Sequence, residues 1–326
     1  MLAYALRRVL ISIPILILST FVVFVMTTAT FSPLDKLKTK NPPPPPEVIE
    51  LERQRLNLDD PVLQRYWDWI TGIFTGEFGP STTSTMEIGP ALGDAFLISF
   101  RLIFGAMLIA LILAVVVGVI SAVRQYTKID YSFTFVGFLF LAMPTFWFAI
   151  LLKQMGINFN NAVDETVIFT FSDSSTYVEG GTWAEIADVL GHMVLPTISL
   201  ALLSFAAWSR FCRGSMLEVL NSDYVRLARA KGLPNGKVMR KHALRTALIP
   251  LTTVTALDLG AILSGAVVTE SVFEWNGAGR FLLEAINRQD AYAVQGWLLI
   301  SATFIILANL VADLLYGVLD PRIRYA

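Results

Sequence analysis

The sequence predicts an all-α polytopic membrane protein with six transmembrane helices, and three observations lead there. Hydrophobic residues make up 55% of the 326-residue chain and charged residues only 16%, where soluble domains carry roughly 25% charge. Six apolar stretches are long enough to cross a bilayer, which takes about 20 helical residues. The segments between them alternate in charge, as loops on opposite sides of a membrane do.

The expected spans cover 9–31, 102–122, 131–152, 193–211, 251–269 and 296–318. The first is longer than the apolar core of a signal peptide, about 7–15 residues, and lacks a clear cleavage pattern, so it reads as a retained helix. With the N-terminus in the cytoplasm, Arg7, Arg8, Arg124, Lys128, Arg210, Arg213, Arg322 and Arg324 all fall inside. Few acids join them: Asp130, Glu218, Asp223 and Asp320. Most acids fall outside, among them Glu47, Glu50, Glu52, Asp59, Asp60 and Glu274. This is the positive-inside pattern, and six spans return the C-terminus to the cytoplasm.

The chain divides into a tail with the first helix (1–31), a long extracytoplasmic loop (32–101) and a five-helix core (102–326). In the long loop, Pro42 to Pro46 predicts extended polyproline II. A helix is expected over 47–56, where Glu50 and Arg53, then Glu52 and Arg55, lie three residues apart. Tyr66, Trp67, Trp69, Ile70 and Phe74 suit a membrane–water interface. They read as an anchor lying on the bilayer or as a platform for an external partner. The second outer loop, 153–192, is polar, with short strands expected over 167–171.

Several chemistries find no support. A net charge of −1 gives no global signal for nucleic acid. Cys212 is the only cysteine, so no intrachain disulfide or cysteine cluster for zinc is available, and it reads as a small buried hydrophobe. His192 and His242 have no ligand partner at metal spacing. Pro144 and Pro196 read as kinks within spans. No inverted repeat or broken helix is visible in the sequence, which argues against a secondary transporter working without ATP.

The most telling segment is 223–250, DYVRLARAKGLPNGKVMRKHALRTALIP, a basic block between two apolar spans. A helix is expected over 223–231, capped by Ser222 or Asp223. Tyr224, Leu227 and Ala228 share one side, flanked by Arg226, Arg229 and Lys231. Ala228 and Ala230 keep the surface low for a close partner. Gly232 ends the helix and Pro234 bars its continuation. Asn235 is expected to cap a second helix through Leu248. Attraction to anionic lipid accounts for the charge, but not for the small alanines, the glycine stop and the length. Gly232, Gly236 and Lys237 imitate a phosphate-binding loop. However, only three residues separate the glycines where four are needed, and Val238 replaces the Ser or Thr. ATP binding by this chain is therefore not expected.

The block resembles the cytoplasmic EAA loop of type I ABC importer permeases, in particular the peptide/nickel branch. Arg226-Leu227-Ala228 stands at the triplet and Gly232 at the glycine, with Arg226 replacing the family's Glu and Leu227 its first Ala. Residues 228–232 and 242–250 are similar to the peptide branch. So are ALRRVLISI at 5–13, LNLDDPVLQRYWDW at 56–69, GAVVTESVFEWNGAG at 265–279 and LLYGVLDPRIRY at 314–325.

The resemblance implies the type I ABC importer fold and the first permease subunit of an oligopeptide or dipeptide importer. A nickel-chelate or glutathione importer of the same branch stays open. Within the core it implies a cytoplasmic coupling loop, 214–250, whose short helix sits in a groove of an ATPase. Ala228 and Gly232 are implied to let that helix seat and end. Arg226, Arg229 and Lys231 are implied to meet acidic groups. The implied partners are a second homologous permease subunit, two cytoplasmic ABC ATPase domains that carry ATP and Mg, an extracytoplasmic peptide-binding protein and membrane lipid. The chain itself is expected to bind no cofactor, no metal and no nucleic acid, and to hold no catalytic residue. Two acids lie in the spans, where ionisable groups are costly. Asp313 is expected to snorkel or pair with Arg322 or Arg324. Asp258, about two turns into the fifth span, lies on the implied translocation pathway. It is read there either as attracting a peptide amino terminus or as bonding a neighbouring helix.

Overall fold

The computed structural model describes residues 2–38, 41–82 and 86–319. These residues form helices and no strand. The chain divides into two compact units, one of Leu6–Ser99 with Asn276–Ile306, the other built around Phe100–Trp275.

The first unit opens with α1 (Leu2–Thr30), α2 (Pro33–Lys38), α3 (Pro46–Arg55) and α4 (Val62–Gly72). In α3 the anticipated pairs form, Glu50–Arg53 at 3.7 Å and Glu52–Arg55 at 2.6 Å. Glu52 raises the pKa of the Arg55 guanidinium through their hydrogen bond. The aromatic stretch of α4 is split by its helical period. Tyr66 and Trp69 are buried against Phe24 and Tyr292, whereas Trp67 and Phe74 are exposed. Tyr66 Oη donates to the Ile17 carbonyl at 2.9 Å, and Trp69 Nε1 donates to the Phe78 carbonyl at 3.1 Å. Buried Asp290 brings 276–306 into this unit: its Oδ2 accepts from Ser81 Oγ at 2.6 Å and from the Thr82 backbone N–H at 2.9 Å. The units thus cut the chain differently from a linear division at 31 and 101.

The second unit takes in the later part of α5 (Ile88–Val123), then α6 (Lys128–Ala142), α7 (Thr145–Val163) and α8 (Thr182–Leu220). After them come α9 (Asp223–Ala230), α10 (Asn235–Val238), a π turn at Met239–Ala243, α11 (Leu244–Leu257) and α12 (Leu259–Phe273). Next in the chain are α13 (Ala278–Arg288) and α14 (Ala291–Leu319).

Among the described residues four continuous helices are long and apolar enough to cross a membrane: Val9–Thr30, Ile88–Val123, Thr182–Leu220 and Ala291–Val311. Two bent pairs raise the number to six if each pair is one span. The helices overrun the apolar stretches that announce them. The 39 residues of α8 reach about 58 Å at 1.5 Å per residue, well beyond a hydrocarbon core of about 30 Å.

Three expectations are corrected. The stretch 131–152 is not one kinked helix, because α6 and α7 meet at 103°. Met143 and Pro144 are both extended, with ψ of 130° and 133°, as the clash between a proline ring and the preceding residue favours. The stretch 251–269 is also broken, by 52° at Asp258. Both stretches are therefore bent helix pairs, and of the two bends only the one at Pro144 carries a mark in the sequence. Pro196, by contrast, stays inside α8. Finally, 167–171 is not a strand. The Asn160 side chain takes the backbone partners, accepting from the Val167 and Ile168 N–H groups at 3.0 and 2.9 Å and donating to the Ile168 carbonyl at 2.7 Å. The expected pairing of Asp313 with Arg322 or Arg324 lies outside the described residues.

Candidate functional site

The basic block folds as a hairpin. Its first arm, α9, packs on α10, on the π turn and on the end of α8. Ser222 stands at the N-cap but does not cap with its side chain; its hydroxyl donates back to the Val219 carbonyl at 2.6 Å. Gly232 closes the helix at φ +73°. Its N–H bonds the Arg229 carbonyl at 2.9 Å, and the Leu233 N–H bonds the Ala228 carbonyl at 3.4 Å. This pair of bonds satisfies two carbonyls left open by the last turn, and it requires the left-handed residue between them. A Cβ on Gly232 would meet nothing within 4 Å, so the demand for glycine is conformational.

The faces of α9 differ from the sequence reading at one residue. Ala228 is buried with Val225 on a helix that packs on α10, the π turn and the end of α8. Tyr224 and Leu227 are 44% and 56% exposed, and Arg226, Arg229 and Lys231 are exposed beside them. Ala228 therefore seats α9 on its own chain, and the outward apolar contacts are Tyr224 and Leu227. Arg226 donates through Nη2 to the Asn221 carbonyl at 2.9 Å, which holds that cation at the mouth of the hairpin. Asn235 does not cap the second arm: Pro234 is its N-cap and Asn235 its first residue.

A buried polar cluster lies where α5, α6 and α8 converge. Arg213 grips Asp130 with two bonds, Nε to Oδ1 and Nη2 to Oδ2, each 2.8 Å. Ser121 Oγ also donates to Asp130 Oδ1, and the Tyr126 backbone N–H donates to Oδ2 at 3.0 Å. The sequence reading used Asp130 and Arg213 only to orient the chain. An acid standing alone among loop cations was the available signal.

Asp258 sits at the break between α11 and α12. Trp208 Nε1, from α8, donates to its Oδ2 at 2.7 Å. The carboxylate also lines a cavity of about 230 Å³ with Thr145, Leu203, Ser204, Ala207 and Gly265. The structure joins Asp258 to Trp208, not to the cations of the hairpin. Another acid escaped notice: Glu270, fully buried in α12 within the motif at 265–279. His192 stacks on Phe169 at 4.0 Å, and its Nδ1 lies 2.9 Å from the Asp188 carbonyl. Among the described residues no group of three His, Cys, Asp or Glu side chains is placed to hold a metal ion.

Residues 114–325 match the family model described as "Binding-protein-dependent transport system inner membrane component". Residues 1–99 match the model of the N-terminal part of such membrane components. The chain belongs to this permease family. The permease is 37% identical over 321 residues to the oligopeptide transport system permease protein OppB of Mycobacterium tuberculosis, covering 98% of both chains. It is 35% identical over 337 residues to the oligopeptide transport system permease protein AppB of Bacillus subtilis, covering all of both. It is 37% identical over 282 residues to the dipeptide transport system permease protein DppB of Escherichia coli K12, covering 83% of each. Among solved structures, the inward-facing MetNI methionine ABC transporter matches with a TM-score of 0.54 and 14% identity, over 71% of this chain and 96% of that one. That likeness concerns the fold alone, which is the type I ABC importer fold. The permease is a membrane translocation subunit and not itself an enzyme.

Proposed function

We propose that this permease is one half of the translocation path of an ATP-driven importer that takes up oligopeptides or dipeptides. Its cargo is handed over by an extracytoplasmic binding protein, and its companions are a second homologous permease and two ABC ATPase domains that bind ATP and Mg. The chain spans the cell membrane several times, with both termini in the cytoplasm, and 214–250 is its coupling loop. The near full-length likeness to permeases named for oligopeptide and dipeptide transport supports the substrate class.

The observation that carries the coupling role is the outer face of α9. Tyr224 and Leu227 stand exposed on a helix whose inner face is anchored by Val225 and Ala228. Arg226, Arg229 and Lys231 surround them, so the face offers an apolar spot with a cationic rim to an acidic groove. Gly232 fixes where the helix stops. Asp258, at a helix break within a span, lines the translocation path.

The test is uptake of a labelled peptide by the assembled complex in liposomes. Accumulation should require both ATP and the binding protein. Uptake that persists without ATP would replace this reading with a secondary transporter.

A further inference from the structure

The cavity beside Asp258 is bordered by both broken spans. Thr145 is the first residue of α7 beyond the 103° bend, and Asp258 is the residue at the 52° bend. Ser204 lies one helical turn before Trp208 on α8 and adds a second hydroxyl to the lining. The rest of the lining is aliphatic, alanine or glycine. Asp258 is half-buried and Trp208 fully buried. Trp208 occupies Oδ2, and among the described residues Oδ1 has no hydrogen-bond partner and Asp258 has no ion-pair partner.

We propose that this cavity is a subsite for the α-ammonium group of the transported peptide, with Asp258 Oδ1 as counter-charge and Trp208 as the residue that positions the carboxylate. The inference rests on the peptide-importer reading and adds to it the chemical group that is recognised. A carboxylate within a span is costly without an opposite charge, and one neutral indole N–H does not supply it. An ammonium carries three donors, and beside Asp258 the lining includes two hydroxyl-bearing residues, Thr145 and Ser204. A carboxylate or phosphate ligand is excluded by repulsion from Asp258. About 230 Å³ is room for a terminal residue, so recognition here falls on the chain end. Trp208 leaves one oxygen open by binding the other. The bonding role and the attracting role that the sequence left as alternatives thus fall on two oxygens of one carboxylate.

The test compares import of trialanine and N-acetyl-trialanine by the reconstituted complex. Both peptides reach the permease through the same binding protein, whose own preference cancels when variants are compared. Asp258→Asn should lower the preference for the free amine about tenfold, the scale of a charge-assisted hydrogen bond. Asp258→Glu should restore part of it, and Trp208→Phe should reduce it less than Asp258→Asn does. If the asparagine complex does not assemble, Asp258→Glu and Trp208→Phe carry the comparison, and an unchanged preference in both overturns the subsite. Equal loss of both peptides in Asp258→Asn also overturns it, leaving Asp258 as a helix-bonding residue only. Absence of ATP-driven uptake of either peptide by the unaltered complex overturns the importer reading and the subsite with it.

Discussion

Arg213 and Asp130 form a parallel two-bond ion pair, with Asp130 only 3% exposed. Removing one member of such a pair leaves a buried charge uncompensated, which costs about 3–5 kcal/mol. Arg213→Ala should therefore lower the melting temperature of the purified complex more than Asp130→Asn, which keeps a neutral acceptor for Ser121. Arg213→Lys should fall between wild type and alanine, because an ammonium cannot make both parallel bonds. The check is a thermal melt in detergent followed by size-exclusion chromatography. Wild-type melting temperatures for all three variants would show that the cluster contributes nothing to stability.

Gly232 gives a different signature. A side chain there meets open space but is held at φ +73°, a strain of about 1–2 kcal/mol for an L-residue. Relief comes by unwinding the last turn of α9, and assembly should survive it. Gly232→Trp and Gly232→Ala should both be recovered as intact complex, with less peptide imported per ATP hydrolysed. The tryptophan variant should be the worse of the two, since its bulk also alters the outer face. Unimpaired uptake by Gly232→Trp would count against α9 as the coupling element.

In the proposed coupling role, the two faces of α9 serve different ends, the inner one folding and the outer one docking. Leu227→Asp changes an exposed position and should leave expression unchanged and stability within about 0.5 kcal/mol of wild type. If α9 docks as proposed, the substitution should nevertheless cut ATP-dependent uptake at least tenfold by placing an anion against the acidic groove proposed for the ATPase. Val225→Asp puts a carboxylate into a fully buried site and should lower the yield of folded complex instead. Measuring both yield and uptake for each variant makes the contrast readable, and uptake lost only with yield in both variants would refute the assignment of faces.

The spans were legible because long apolar runs admit few other structures in lipid, and the glycine stop was legible because only its conformation was needed. The side of Ala228 was not. At about 100° per residue, Ala228 lies about 40° from Tyr224 and about 60° from Val225 around α9. Periodicity alone therefore places it with either neighbour. Its burial comes from the packing of α9 on α10, the π turn and the end of α8. The two breaks were missed for a similar reason. Pro144 signals a disturbance whose size depends on the backbone of Met143, and Asp258 has no helix-breaking chemistry of its own. What marks Asp258 is its Trp208 partner, 50 residues away in sequence.

Close approach of α5 to α8 yields the last prediction. A Cβ on Gly118 would lie 2.7 Å from Cys212 Cβ and 2.9 Å from the Ser209 carbonyl oxygen. Small residues at helix contacts let backbones come this near within a membrane, where packing replaces the hydrophobic drive. Gly118→Val should force the helices apart and destabilise the complex by about 1–3 kcal/mol. Adding Cys212→Gly removes the side-chain clash but leaves the carbonyl contact, so the double variant should regain only part of the lost melting temperature. Cys212 itself is fully buried. A maleimide should therefore label it slowly in the wild type and faster in Gly118→Val, which reports the opened contact independently of stability. Slow labelling in both the wild type and Gly118→Val, together with an unchanged melt, would mean that α5 and α8 yield at this point without losing contact.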